Sequence, residues 1–140
     1  MSDQWLHEFE HTGDLGIEIT AESRAELFRR AAIAMVGVMV DTARVVKHQN
    51  REIQVAGISD TDLMHDLLST LLQIFIIESF IWSEVAVEEE PQGLKLRLCG
   101  ETYDPSRHEF RTEIKGVTYH ELAVIQEKDG NWRTRVIFDI

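Results

Sequence analysis

Apolar and polar residues alternate along several short stretches of this chain, as they do in strands that bury one face. Residues 15–20 read LGIEIT, where Leu15, Ile17 and Ile19 alternate with small or polar residues. A period of two is the period of a β-strand. The same pattern predicts strands at residues 4–9, 51–57, 80–88, 94–101, 110–117, 119–126 and 132–138.

Two longer stretches carry apolar residues at helical spacing. The first runs from about residue 24 to 40, and Ser23 precedes it at the position of a helix N-cap. The second opens at residues 59–62, SDTD, which offer several possible caps, and runs to about residue 79. It is the most apolar segment, but charged and polar residues interrupt it, whereas a membrane span needs about 20 mostly apolar residues. Burial against a sheet therefore explains it better.

The chain ends in a predicted hairpin and not in a polar tail. Residues 128–131 read KDGN, and Asp-Gly is a strong turn signal between two β-branched and aromatic runs. Arg135 and Asp139 share one face of the second strand. Because chain ends usually fray, the apolar ending VIFDI predicts a terminus held inside the fold, with Asp139 beside the carboxylate of Ile140.

The order of the predicted elements indicates the fold class. It is ββαβα followed by about five strands, which predicts a two-layer α+β fold with both helices packed on one face of a largely antiparallel or mixed sheet. A length of 140 residues with 44% hydrophobic content suits a single domain, residues 1–140, with one core.

Charge and cysteine content exclude several classes of function. A formal net charge of -11, from 25 acidic against 14 basic residues, disfavours direct tight binding of nucleic acid. The single cysteine, Cys99, excludes an intrachain disulfide and a multi-cysteine zinc site. The first residues, MSDQWLHEFE, lack the basic start and apolar run of an export signal. We therefore expect a cytoplasmic protein with no attachment to a membrane.

The common catalytic and phosphate-binding motifs are absent, which leaves a small set of polar candidates. They are His11, Asp14, His108, Lys115, His120 and Asp139. Each also has a structural explanation. Asp14 could form an Asx-type turn, the histidines could be partly buried and bonded to backbone groups, Lys115 could be a surface charge, and Asp139 could pair with Arg135.

Four stretches, in the same order and spread over the chain, match the motifs of one known family. They read HTGDLG at residues 11–16, GETYDPSRH at 100–108, EIKGVTYH at 113–120 and VIFDI at 136–140. These stretches are similar to the HTADxG, GExFDPxRH, VKAVTYH and VIFDI motifs of the archease family. The chain therefore resembles an archease over almost its whole length, and the resemblance implies an archease-like α+β fold.

The resemblance also implies a function. It implies a metal-binding accessory factor, not an enzyme, that activates an RtcB-type RNA ligase in tRNA splicing and RNA repair by promoting guanylylation of the ligase and multiple turnover. By motif, Asp14, Asp139 and the terminal Ile140 would hold a divalent cation, calcium before magnesium or manganese. Carboxylate and carbonyl oxygens suit such hard cations.

Three more residues in the matched motifs are candidates for contact with the ligase or its nucleotide. Lys115 is the first of them, and His11 and His120 follow. One stretch departs from the family pattern, because Thr70, Ile76 and Ile77 make the end of the second helix more apolar than is usual in archeases. An exposed patch of this kind often marks an interface, so it is a candidate for a partner-specific surface.

Two other classes of function stay open at this point. A stand-alone metal-dependent hydrolase could also use clustered carboxylates, but it would need a general base and an open coordination position. A chaperone or structural binding module could use the cation only to fix the C-terminus.

Overall fold

The computed structural model describes residues 4–140, apart from the side chain of His11. Its elements are β1 (Leu6–His11), β2 (Asp14–Ala21), α1 (Arg24–Met39), β3 (Gln49–Ala56), α2 (Asp60–Glu78), β4 (Phe80–Glu90), β5 (Gly93–Thr102), β6 (Gly116–Val117), β7 (Ala123–Gln126) and β8 (Trp132–Asp139). The predicted order, ββαβα followed by five strands, is confirmed.

The strands are divided between two sheets. The larger has the order β1-β2-β8-β6, with β7 also paired to β8, and the smaller has the order β3-β5-β4. Every pairing of these strands is antiparallel. The α+β class and the antiparallel pairing are therefore confirmed, although the alternation along the chain gave no sign of a second sheet.

Helix α1 packs against strands of both sheets, β2 and β8 of the larger sheet and β4 of the smaller. Its buried residues surround most of the helix, from Leu27 and Phe28 to Met39, and a helix that is apolar on most sides has to be covered on most sides. Between α1 and β4, the indole N–H of Trp82 donates a hydrogen bond of 3.1 Å to the carbonyl of Ala32. The core therefore lies around α1.

Both predicted helix starts are confirmed by their caps. The Ser23 hydroxyl accepts from the N–H of Glu26 at 3.2 Å, and the Ser59 hydroxyl accepts from the N–H of Asp62 at 3.1 Å. These bonds satisfy donors that have no partner inside the helix. Within the described residues, no helix is long and apolar enough to cross a membrane.

The predicted strand at residues 110–117 is wrong for most of its length. Only Gly116–Val117 pairs in a sheet, while Phe110 forms an isolated bridge with Val40. The N–H groups of Arg111 and Thr112 both donate to the carbonyl of Met39, at 2.8 and 3.4 Å. The last carbonyls of a helix lack partners inside it, so this segment crosses the end of α1 and bonds to it. The sequence alternation could not reveal that competing partner.

The predicted strand at residues 119–126 begins later, at Ala123, because the chain turns first. The N–H of Leu122 donates to the carbonyl of Tyr119 at 3.1 Å, and Glu121 has a positive φ of 57°. The last strand, by contrast, is held on both sides, by β2 and by β6 with β7. The prediction that the end of the sequence is held inside the fold is correct through Ile137 and Phe138, which are buried, but Asp139 and Ile140 are exposed.

Candidate functional site

A two-residue turn sets the position of Asp14. Thr12 and Gly13, with φ of 27° and 85°, join His11 to Asp14, which pair across the hairpin. Glycine adopts a positive φ without steric cost. Asp14 is therefore the first residue of β2 and lies outside the turn itself. The side chain of His11, a predicted contact residue, lies outside the described part of the chain.

Strand register brings Asp14 and Asp139 together. The last registered pair between β2 and β8 is Leu15 with Phe138, so the next position sets Asp14 opposite Asp139. Facing Cα atoms of an antiparallel pair are about 4.5–5.5 Å apart, and their side chains point to the same face. Phe138 is fully buried, which puts both aspartates on the face away from the core.

The other neighbour of β8 brings Lys115 to the same place. Gly116 pairs with Asp139, and the N–H of Lys115 donates to the carbonyl of Asp139 at 2.7 Å. By this register Lys115 lies beside Ile140. Four of the predicted site residues, Asp14, Asp139, Ile140 and Lys115, therefore meet at one end of the larger sheet, although they come from three separate stretches of sequence.

The donor atoms at this end suit a hard cation. Asp14 and Asp139 offer carboxylate oxygens, and Ile140 offers main-chain oxygen, which are the ligands that calcium and magnesium prefer. No three His, Cys, Asp or Glu side chains of the described residues come together as a metal site. A cation held here would therefore need main-chain oxygen or water in addition to the two aspartates.

Arg135, the alternative ionic partner for Asp139, lies closer to other carboxylates. Arg135 approaches Glu121 at 3.0 Å and Glu18 at 3.6 Å. It lies four residues from Asp139, about 13 Å along an extended strand. The arrangement therefore favours Glu18 and Glu121 over Asp139 as the ionic partners of this arginine.

His120 lies further from the two aspartates than Lys115 does. Thr118 follows β6, and both its N–H and its hydroxyl donate to the carbonyl of Ile137, at 3.1 and 2.9 Å. The N–H of His120 in turn donates to the Thr118 hydroxyl at 3.2 Å, and its ring lies 3.3 Å from the Glu121 carboxylate. The histidine thus belongs to the turn beyond β6.

The GETYDPSRH stretch forms a buried ionic network that the sequence did not reveal. The Glu101 carboxylate accepts from the N–H of Val46 at 2.7 Å and pairs with the guanidinium of Arg107. His108 bonds to the same carboxylate through Nε2 at 2.9 Å. Its Nδ1 accepts from the N–H of Asp104 at 2.8 Å, so Nε2 carries the proton and donates. His108 is a structural residue whose two ring nitrogens are both engaged.

These contacts hold Glu101 in its charged form. The hydrogen bond from Arg107 and then the one from the Val46 N–H lower its pKa to about 2, against the opposing effect of burial. The network joins the end of β5 to the segments before β3 and after Tyr103, and so positions the chain that leads to Lys115. Among the candidates the sequence indicated only His108, and the signal for Glu101 and Arg107 was their place in the same motif.

A second unpredicted contact fixes α2 against β6. The rings of His65 and Tyr119 stack with centroids 3.9 Å apart and planes 12° from parallel. His65 Nε2 lies 2.9 Å from the carbonyl of Val117, and the Tyr119 hydroxyl donates to Asp62 at 3.2 Å. Desolvation and then Asp62 raise the pKa of Tyr119. Helix α2 therefore supports the strand that follows Lys115.

Comparison with known proteins gives a consistent result. Residues 7–140 match the model of the Archease protein family (MTH1598/TM1083). The protein named Protein archease from Pyrococcus abyssi is 36% identical over 141 residues, which cover 98% of this chain and 99% of that protein. Protein archease from Methanosarcina mazei is 36% identical over 136 residues, with 94% and 92% covered.

A solved structure has the same fold. The solution structure of Methanobacterium thermoautotrophicum protein 1598 superposes with a TM-score of 0.77 at 29% identity. The alignment covers 97% of this chain and 99% of that one.

Proposed function

Because this chain belongs to the archease family, we propose that it is an accessory protein that activates an RtcB-type RNA ligase in tRNA splicing and RNA repair. It acts by promoting guanylylation of the ligase and multiple turnover, and it joins no RNA itself. One observation carries the proposal: the sheet register brings Asp14, Asp139 and Lys115 to one end of the molecule from three matched motifs.

In this proposal Asp14, Asp139 and Ile140 hold a divalent cation, calcium before magnesium or manganese. Two carboxylates at this spacing repel each other, and a cation bound between them offsets that repulsion. A bound cation supplies positive charge that attracts phosphate oxygens. The ammonium group of Lys115 adds a second positive charge beside it and contacts the ligase or its nucleotide. The formal charge of -11 on the whole chain opposes binding to long RNA, which favours a contact with the ligase.

The hydrogen-bonding of β8 argues against a cation that only fixes the C-terminus. The strand pairs with β2 on one side and with β6 and β7 on the other. The N–H of Lys115 bonds to the last residue of the strand, Asp139. These bonds already hold the terminus, so a structural role alone does not explain why two carboxylates lie together.

Two of the histidines are poorly placed to act as the general base of a stand-alone hydrolase. A general base needs a ring nitrogen that can take a proton from substrate. Both nitrogens of His108 are engaged in buried hydrogen bonds. His65 contacts the carbonyl of Val117 and stacks on Tyr119.

The test is ligase guanylylation in a cation titration. Protein ending at Ile140 is compared with protein extended beyond Ile140, which turns the carboxylate into a neutral amide carbonyl, and with an N-terminal extension as the control. We expect the C-terminal extension to leave the circular dichroism spectrum unchanged and to weaken stimulation, most strongly at low cation concentration. The N-terminal extension should have no effect.

Asp139→Ala should resemble the C-terminal extension, and the combination should add little, because groups that serve one site are not additive. Equal stimulation by the extended and unextended proteins at every cation concentration would exclude a role for the terminal carboxylate. Turnover of RNA, phosphoesters or GTP without ligase would favour the hydrolase. No stimulation by the unextended protein would overturn the proposal as a whole.

A further inference from the structure

The last turn of α2 exposes two large apolar side chains. Ile76 is 54% exposed and Ile77 is 75% exposed. The buried face of the helix uses other residues, such as Leu68 and Leu72, so the core does not require isoleucine at positions 76 and 77. Single exposed apolar residues are common on protein surfaces, and what matters here is their surroundings.

Aromatic rings extend this surface. Phe75 meets Tyr103 edge-on, and Tyr103 meets Phe110 edge-on, with ring centroids 6.3 Å apart in each pair. Phe110 is 46% exposed. We name this surface the apolar end patch, and it consists of Phe75, Ile76, Ile77, Tyr103 and Phe110. Several exposed apolar side chains at one end of a molecule are typical of interaction sites.

The backbone on either side of the apolar end patch is fixed. Ser79 caps the C-terminal end of α2, and its main-chain N–H donates to the carbonyl of Phe75 at 2.9 Å. The N–H of Tyr103 in turn donates to the carbonyl of Ser79. The N–H of Arg111, next to Phe110, donates to the end of α1 at 2.8 Å. A surface that is already ordered loses little entropy when a partner binds.

The patch and the candidate cation site lie at the same end of the molecule. Phe110 and Lys115 are five residues apart, so at most about 18 Å of extended chain separates them. The N–H of Lys115 bonds to Asp139. The 19 residues of α2 span about 28 Å, and Ile58, which is fully exposed, lies beyond the opposite end of that helix. One partner could therefore cover the patch and the cation site together.

We propose that the apolar end patch is the surface through which this chain docks on its own RNA ligase. The proposal rests on the proposed function for the identity of the partner. A ligase that binds RNA needs a basic surface for the phosphates, which complements the net charge of -11. Beside the patch, Glu109 and Asp41 both lie close to the half-exposed Arg111, at 3.8 and 3.6 Å, so this group of three carries one net negative charge. The expected contact on the ligase is an apolar surface bordered by basic residues.

The test measures binding to the ligase directly, apart from stimulation. The variant replaces Ile76 and Ile77 by glutamine, a good helix former. The matched control is Ile58→Gln, which replaces a fully exposed isoleucine far from the patch. We expect the concentration of this protein that half-saturates the ligase to rise about tenfold or more for the double variant. Once the ligase is saturated with the double variant, full stimulation should be recovered. The control should bind like the wild type, and thermal unfolding should show that all three are folded.

The outcomes separate the two proposals. Patch-dependent binding without any stimulation would overturn the proposed function and support the docking surface. Stimulation by the wild type with unchanged binding of the double variant would overturn the docking surface alone. A wild type that binds no ligase would overturn both. Sedimentation of the wild type as a dimer that the double variant abolishes would assign the patch to a second copy and refute docking on the ligase.

Discussion

Replacing Glu101 by glutamine tests whether the buried network holds the end of the molecule that carries Lys115. Glutamine keeps the shape and one acceptor oxygen but loses the charge that pairs with Arg107. A hydrogen bond to a charged group contributes about 1.5–3 kcal/mol. We therefore expect Glu101→Gln to lower the free energy of unfolding by about 2 kcal/mol.

This change corresponds to a measurable shift in melting temperature. Unfolding entropy is about 2.1 cal/mol/K per residue, or about 0.3 kcal/mol/K for 140 residues. A loss of about 2 kcal/mol then lowers Tm by about 7 °C. The control is Glu84→Gln, which removes an exposed pair with Lys47 at 3.1 Å. Such a pair contributes about 0–1 kcal/mol, so its Tm should fall by about 3 °C at most.

The pH dependence of the melting temperature gives a second and sharper test. The pKa of Glu101 is lowered from an ordinary 4.5 to about 2. The charged form of Glu101 therefore makes its full contribution to the free energy of unfolding above pH 4.5, and this contribution is lost as the pH falls from 4.5 through 2. The difference in Tm between wild type and Glu101→Gln should be constant from pH 7 to pH 5 and shrink steadily below pH 4.5.

The assay is thermal unfolding by circular dichroism at fixed ionic strength, with both variants and the wild type between pH 7 and pH 3. Two results would refute the reasoning. One is a Tm for Glu101→Gln within the range of the surface control at pH 7. The other is a difference from wild type that stays constant down to pH 3.

Three further predictions concern the candidate site and the core. Calcium at a hundredfold excess over Kd should stabilise the wild type by about 2.7 kcal/mol and so raise its Tm. Asp14→Asn should abolish this rise, and an equal rise in both proteins would exclude this site. Trp82→Phe removes the bond to Ala32 and should cost about 1–3 kcal/mol in urea unfolding; a loss below about 0.5 kcal/mol would show the bond to be unimportant. A Cβ on Gly100 would meet the backbone of Ile81 and Trp82, whereas a Cβ on Gly116 would enter open space. Gly100→Ala should therefore lower the free energy of unfolding by about 2 kcal/mol or more, and Gly116→Ala should leave it nearly unchanged. Similar losses for the two variants would contradict this packing.

The sequence alone determined the local features. The first helix begins at the predicted cap, Ser23, and the second at Ser59, one of several caps that the sequence offered. The last hairpin turns where Asp-Gly predicts it, because caps and turns depend on residues close in the chain. The apolar ending also predicted correctly that Ile137 and Phe138 are buried, although Asp139 and Ile140 are exposed. Family motifs singled out Asp14, Asp139 and Lys115, although no local pattern could show that they lie together.

Only the tertiary structure decided which distant segments pair. Alternation gives a strand its period but not its partner, so the division into two sheets was hidden. The N–H groups of Arg111 and Thr112 bond to the end of α1 instead of to a strand. The meeting of Asp14 with Asp139 depends on the register of β2 on β8, which packing around α1 sets. The Glu101 network likewise joins the main-chain N–H of Val46 to the Glu101 carboxylate, 55 residues further along the chain. Contacts between residues so far apart form only when the whole core assembles, and for that reason local sequence carries no sign of them.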